Sequence, residues 1–225
     1  NALVKEARSH ALEILHNCVT KYGFRASADP SGYPQIWGRD SSVTLLAAMA
    51  TGDDELIKAG KASLETIGGA QSCWGLVPLN INPEDGFVST ENAGACDANL
   101  WYILGQFGLY KATGDLDVLK KNWVTVTRAL SWLQYQDMNE CGLLEIPEAG
   151  NWMDLMSVRY NTLYDNVLFY GATLAYEELL REHPDLNPGL ACHTSAEQIH
   201  ERLNLLFWID RCWVASHFAE HLEKL

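Results

Sequence analysis

The tetrapeptide Ala-Thr-Gly-Asp occurs twice, at 50–53 and at 112–115, 62 residues apart. Each copy ends an apolar run on glycine, which readily takes the left-handed conformation that closes a helix. Each then opens the next segment on aspartate, whose carboxylate caps a helix N-terminus. A period of about 60 residues suits two helices and their connections, so the repeat predicts an array of helical hairpins. It leaves no place for a central sheet.

The segments between these turns are of two kinds. Leu116, Leu119, Trp123, Val126, Leu130 and Leu133 keep the i, i+3/i+4 rhythm with Lys120, Lys121 and Arg128 on the other face, which predicts an outer helix wet on one side. Val4, Ala7, Ala11, Leu15 and Cys18 form a similar stripe, ended by Gly23. By contrast, Leu100–Leu104 through Phe107, Leu109 and Tyr110, and Val167–Tyr170 through Leu174, are apolar nearly all round, as helices buried on all sides must be. Seven helices are predicted, over 1–22, 40–51, 54–67, 94–112, 116–137, 160–181 and 195–208. The expected fold is all-α, a single α/α-toroid domain over 1–225 with alternating inner and outer helices. The long connections, 24–39, 70–92 and 139–159, each precede an inner helix, and the short turns follow inner helices, so the long loops should share one face. Long structured loops in a compact domain are usually functional.

Charge excludes several classes of function. The formal net charge of −13 repels phosphate backbones and anionic lipid, so neither a nucleic acid nor a membrane is an expected partner. No apolar run approaches the ~18 residues that span a bilayer. Six cysteines without CxxC spacing read as small buried hydrophobes or free thiols, not a disulfide framework, in a reducing compartment, and a cytoplasmic location is expected. There is no GxSxG, no Gly-rich phosphate loop and no Cys–His dyad. His217-Phe218-Ala219-Glu220-His221 fits H-x-x-E-H, but without a third ligand it reads as a solvated helix end. No cofactor and no metal are expected.

The loops carry Tyr33, Trp37, Trp74, Phe87 and Trp152 beside acidic and amide residues. Aromatic faces among hydrogen-bonding groups suit a sugar, whose C–H faces stack while its hydroxyls need partners. Arg39-Asp40, after Trp37-Gly38, is either a helix cap or a fork on adjacent sugar hydroxyls. Asp97 opens the next inner helix four residues before Trp101, again as cap or as sugar ligand. Asp154, beside Trp152, Met153 and Leu155, is a poorly solvated carboxyl suited to donate a proton; the alternative is an Asx-turn or cap. Arg159 is a substrate contact or a loop strut.

Ile36-Trp37-Gly38-Arg39-Asp40, then Asp97-Ala98-Asn99-Leu100-Trp101-Tyr102-Ile103 running on to Ala112-Thr113-Gly114-Asp115, then Asn151-Trp152-Met153-Asp154, resemble in this order the motifs of (α/α)6-barrel glycoside hydrolases. The likeness is above all to the amylo-α-1,6-glucosidase domain of glycogen debranching enzymes, with glucoamylases, neutral invertases and mannosylglycerate hydrolases as cousins, and it spans about residues 30–180. It implies an inverting hydrolase of a terminal or small α-linked sugar, such as an α-glucan end. In that reading Arg39 and Asp40 hold the sugar of the first subsite and Asp154 is the general acid. The family's general base, a Glu from the later half of the barrel, has no counterpart here; Glu91, Glu145 and Glu148 are the loop carboxylates that could replace it. Twelve helices with their loops need roughly 260–400 residues, so the chain corresponds to about half a barrel. A half-toroid exposes inner-helix surface, to be covered by the remaining half or by a second copy in a homodimer. Two other functions fit the pattern: a sugar-binding half-toroid without catalysis, and a sugar epimerase or isomerase, which would need inward-facing His.

Overall fold

The N-terminal turns of three helices meet at one end of the molecule, and the chain between them is organised around that meeting. The computed structural model describes residues 1–29, 31–90, 96–153, 155–188 and 194–208. Among these are seven α-helices: α1 (Ala2–Asn17), α2 (Gly38–Thr51), α3 (Asp54–Gly69), α4 (Cys96–Thr113), α5 (Leu116–Gln134), α6 (Leu163–Glu182) and α7 (Ala196–Phe207). Helices α2, α4 and α6 form an inner row with α4 in the middle, and α3, α5 and α7 pack behind their predecessors. This is the alternating arrangement of an α/α toroid.

The hairpin turns form as their residues dictate. Gly52 and Gly114 take φ of 70° and 66°, the left-handed region open to glycine. Asp53 accepts from the backbone N–H of Glu55 and Leu56, and Asp115 from that of Val118, so both cap the outer helices. Helix α5 buries Leu119, Trp123, Val126, Leu130 and Leu133 and exposes Lys120, Lys121 and Arg128. Trp123 stacks on Tyr176 of α6 with centroids 4.9 Å apart. Tyr102 and Phe169, on α4 and α6, are among the largest fully buried side chains.

Strands are confined to loops. β1 (Val19–Thr20) pairs with β2 (Gly23–Phe24), and β3 (Ile36–Trp37), β4 (Asn80–Asn82) and β5 (Phe87–Ser89) form an antiparallel sheet in that order. This small sheet stitches the first long loop to the second through Ile36 opposite Ile81. The third loop closes on itself through a bridge between Ile146 and Tyr160.

A second internal repeat, at 67 residues, lies under the loops. Asn99 in α4 accepts from Val77 N at 2.7 Å and donates to the carbonyls of Gly75 and Ala129. Asn166 in α6 accepts from Leu144 N at 2.7 Å and donates to the carbonyls of Leu144 and Thr162. Both amides are wholly buried. Each satisfies loop backbone that would otherwise be desolvated without a partner, and thereby pins the preceding long loop to its inner helix.

Several expectations need correction. Helix α1 ends at Asn17 rather than Tyr22, because Gly23 at φ 124° turns the chain into the β1–β2 ladder. No residue of α1 is buried: Leu3 and Val4 are exposed, and the helix rests through Leu12 and Leu15 on a small cluster with Phe24, Leu56 and Ala59. Helix α6 is not buried on all sides, since Leu163, Val167 and Leu174 are exposed. The connection after α6 is not a short turn; it begins with a 3-10 turn at Pro184–Leu186, and α7 starts only at Ala196. Cys18, Cys73, Cys96 and Cys141 are free thiols; Cys192 and Cys212 lie outside the described residues. No helix among the described residues is long and apolar enough to cross a membrane.

Candidate active site

The path from sequence to site begins at Gly38. Its N–H donates to Leu79 O at 2.9 Å, and a Cβ here would lie 3.1 Å from both the Ala98 Cβ and the Pro78 carbonyl. Glycine thus lets the start of α2 press against α4 and the second loop. The residue N-terminal to α2 is Trp37, with no side-chain cap bond, so neither Asp40 nor Ser41 is the helix cap.

That close approach brings Arg39 to Asp97. The guanidinium Nη1 donates to Asp97 Oδ2 at 2.7 Å. The same oxygen accepts from the Tyr164 hydroxyl of α6 at 3.2 Å, and Tyr164 Oη accepts from Trp101 Nε1 at 3.0 Å. One network therefore joins the first turns of all three inner helices. Asp97 is wholly buried, which raises its carboxyl pKa, while Arg39 and Tyr164 oppose that rise. Burial pushes the Tyr164 phenol upward, so it stays an O–H donor.

Asp40 lies beside this pair, its Oδ2 3.8 Å from Arg39 Nε, with a half-exposed side chain against 21% exposure for Arg39. It is a carboxylate next to a fixed cation and open to solvent, the arrangement that accepts hydrogen bonds from hydroxyls. Trp37 meets Tyr33 edge to face at 6.2 Å, and its indole nitrogen is buried with no partner among the described residues. Trp152 is 52% exposed and stands edge-on to Tyr164 at 6.3 Å. The structure thus groups Trp37, Arg39, Asp40, Asp97, Trp101 and Trp152 around one helix end.

Arg159 is placed differently. It pairs with Glu148 at 3.1 Å across the hairpin that the Ile146–Tyr160 bridge closes, and lies over the Tyr160 ring at 5.2 Å. These contacts brace the loop. Glu145 is buried and accepts from Asn139 at 2.6 Å. Asp154, Glu91 and the His217–His221 pattern lie outside the described residues. Among the described residues no group of three or more His, Cys, Asp or Glu side chains could hold a metal ion. A cavity of about 410 Å³ lined by Gln134, Asp137, Gly142 and Arg202 opens between outer helices, and no residue of the Arg39–Asp97–Tyr164 network lines it.

Sequence reasoning missed Tyr164 and Asp165. Asp165 is wholly buried, accepts from Asn151 Nδ2 at 2.7 Å and from the Thr162 hydroxyl, and leaves Oδ1 without a partner among the described residues. Desolvation raises its pKa to about 6, against the lowering effect of Thr162 and Asn151; nearby Asp97 adds to the rise. The signal available was Asn166: set against Asn99 at the 67-residue spacing, it puts Tyr164 opposite Asp97 and marks the same helix turn.

No protein-family model and no curated protein sequence matches the chain. Among solved structures it is similar to a rhamnosidase from Klebsiella oxytoca with rhamnose bound, at 16% identity and a TM-score of 0.59. The match covers 86% of this chain and 35% of the rhamnosidase chain, so this chain spans about a third of that structure's length. At that identity the likeness shows the fold alone: an α/α toroid of the kind found in a glycoside hydrolase.

Proposed function

We propose that this chain carries the first subsite and the general acid of an inverting glycoside hydrolase acting on a terminal or small α-linked sugar, such as an α-glucan end. The observation that supports this reading best is the three-helix network, which fixes Arg39 beside the half-exposed Asp40 at an aromatic-flanked helix end. In this reading Asp40 accepts from one sugar hydroxyl and Arg39 donates to its neighbour. Trp37 and Trp152 offer ring faces to the sugar's C–H surface. Asp97 and Trp101 hold the arginine and Tyr164 in place from below.

Asp154 is the proton donor. The glycosidic oxygen is too basic to leave unprotonated, so its acid must keep a proton near neutral pH. Trp152 and Leu155, the neighbours of Asp154 in sequence, are exposed, so the assignment rests on the order of the motifs rather than on desolvation. The base activates a water from the opposite ring face, with the two carboxyl groups about 6.5–9.5 Å apart. Glu145 is engaged by Asn139 and Glu148 by Arg159, so the reading assigns the base to a carboxylate outside the described residues.

Exposed Val43 and Leu46 on α2, and Leu163, Val167 and Leu174 on α6, fit a further half of the barrel or a second copy packed on these flanking helices; α4 between them exposes no large apolar side chain.

The test is hydrolysis of short α-glucans by the 225-residue chain and by the gene product that contains it, following the first-formed anomer by NMR. Inversion is expected, and Asp154→Asn in the active form should lower turnover of natural glycosides by roughly 10²–10⁴ while sparing a glycosyl fluoride. Retention of configuration would overturn the inverting assignment. Equal losses on both substrates would make Asp154 a binding residue, and sugar binding without turnover in both forms would favour a non-catalytic module.

A further inference from the structure

Asp165 is a wholly buried carboxylate that the proposed chemistry leaves unused. It sits in the first turn of α6, where Thr162 caps the helix by accepting from Asp165 N and donates its hydroxyl to Asp165 Oδ2. The other donor on Oδ2 comes from outside the helix. It is Asn151, 1% exposed, in the third long loop. Asn151 spends both ends of its amide: Nδ2 reaches the α6 carboxylate, and Oδ1 accepts from Met153 N at 2.9 Å. The two bonds form a strap from α6 to the loop tip, and Trp152 lies within it.

The rest of the loop is held lower down, by the Ile146–Tyr160 bridge and by Ala149 N donating to Val158 O. The segment beyond Gly150 has Asp165 as its charged anchor in α6. The segment's next residue in sequence is Asp154.

We propose that Asp165 is a positioning residue that holds the loop tip through Asn151, fixing Trp152 and the segment leading to Asp154 against α6, and that its protonation loosens this hold. The strap itself rests on geometry; its bearing on catalysis rests on the glycosidase reading above.

The surroundings define the switch. From α4, Asp97 faces Asp165 and raises its pKa, and Cys96 beside them has its thiol pushed upward by burial and by both carboxylates. From α2, Arg39 and Asp40 act on Asp97, and Arg39 is committed to that partner. On α6 itself Tyr164 donates to Asp97. The ionised Asp165 therefore depends on Asn151 and Thr162, two charge-assisted bonds in a water-poor site. Adding a proton turns them into weaker bonds to a neutral acid. With the carboxyl titrating at about 6, the hold tightens as pH rises through that value.

The experiment is 15N NMR of the Asn151 side-chain amide and the Trp152 indole between pH 5.5 and 8, in the wild type, Asp165→Asn and Asn151→Ala. Both wild-type signals should move together with a midpoint near 6. Asp165→Asn keeps an acceptor in place and should abolish the titration. Asn151→Ala retains Asp165, so Trp152 should stop reporting its titration; this variant decides the matter if Asp165→Asn does not fold. Static wild-type signals, or an unchanged midpoint in Asp165→Asn, would overturn the strap. These readouts need no turnover, so absence of hydrolysis in every form sinks the glycosidase reading and leaves them to decide. Where hydrolysis is found, Asn151→Ala should lower kcat by roughly 10- to 100-fold with KM little changed, the cost of a misplaced catalytic segment. An unchanged kcat with the NMR result intact would overturn the catalytic bearing of the strap.

Discussion

Asp165 also leaves a mark on stability, and its sign follows from burial. Its carboxyl titrates at about 6 in the fold against 3.8 for an ordinary aspartate, so between these values the native state binds more protons than the unfolded chain. Its contribution to stability therefore falls as pH rises from about 4 and levels off above about 6. Asp165→Asn removes that dependence while keeping the shape. The variant should gain on the wild type by roughly 1.5 kcal/mol between pH 5 and pH 8, read from urea unfolding at each pH. Asp29, Asp53, Asp115 and Glu182, whose pKa values are lowered by hydrogen bonds and cations, pull the other way in both proteins and cancel in the difference. A constant gap would mean that Asp165 is ionised at all these pH values. At this scale the sequence is legible unevenly. Arg39, Asp40 and Asp97 stand in contiguous motifs that single them out as caps or sugar ligands, although the pairing of Arg39 with Asp97 rather than Asp40 is visible only in the structure. Asp165, Asn99 and Asn166 do not, because their partners are loop amides and hydroxyls brought near only by the helix row, and a backbone N–H leaves no trace in a one-letter code.

At the scale of elements, the hairpin turns set where outer helices begin. Asp53 and Asp115 each satisfy N–H groups that otherwise lack an intrahelical partner. Asp53→Ala and Asp115→Ala should each lower stability by about 1 kcal/mol, and the double variant by their sum, since the two caps are separate sites. Denaturant titrations of the three variants check this; a loss well above the sum would mean that the hairpins share a turn contact. Asp53 also meets His16 of α1, so its variant should additionally loosen α1. Periodicity found every α-helix in the described chain because long amphipathic runs allow one buried face and wholly apolar runs require burial on all sides. It ended α1 late because the Gly23 turn and the β1–β2 ladder override the stripe, and it misplaced the exposure of α6 for another reason. A stripe states that a face is apolar, and what covers it is decided by elements elsewhere in the fold.

At the scale of the whole molecule, that covering is the open matter. α4 is flanked by α2 and α6 and shows no large exposed apolar side chain, whereas α2 exposes Val43 and Leu46, and α6 exposes Leu163, Val167 and Leu174. Each is a helix of the inner row, where apolar residues on every side are the rule, so these faces suit neighbours of the kind that would close a ring or a second copy of the chain. Apolar contact is proportional to area removed from water, and the flanking faces offer such area to any like surface. The 225-residue chain by itself should therefore associate as its concentration rises, despite a net charge of −13 that opposes contact. Val43→Lys with Val167→Lys should shift it toward monomer without loss of helicity, because both side chains are already in water in the single chain. Where further helices cover these faces, the same pair should lower thermal stability, since there a charge would be buried. Sedimentation equilibrium over a range of concentrations, with circular dichroism as the folding control, reads the first effect. A wild-type chain that stays monomeric at high concentration would show that charge outweighs the exposed apolar area, and the row would then stand as a stable open arc.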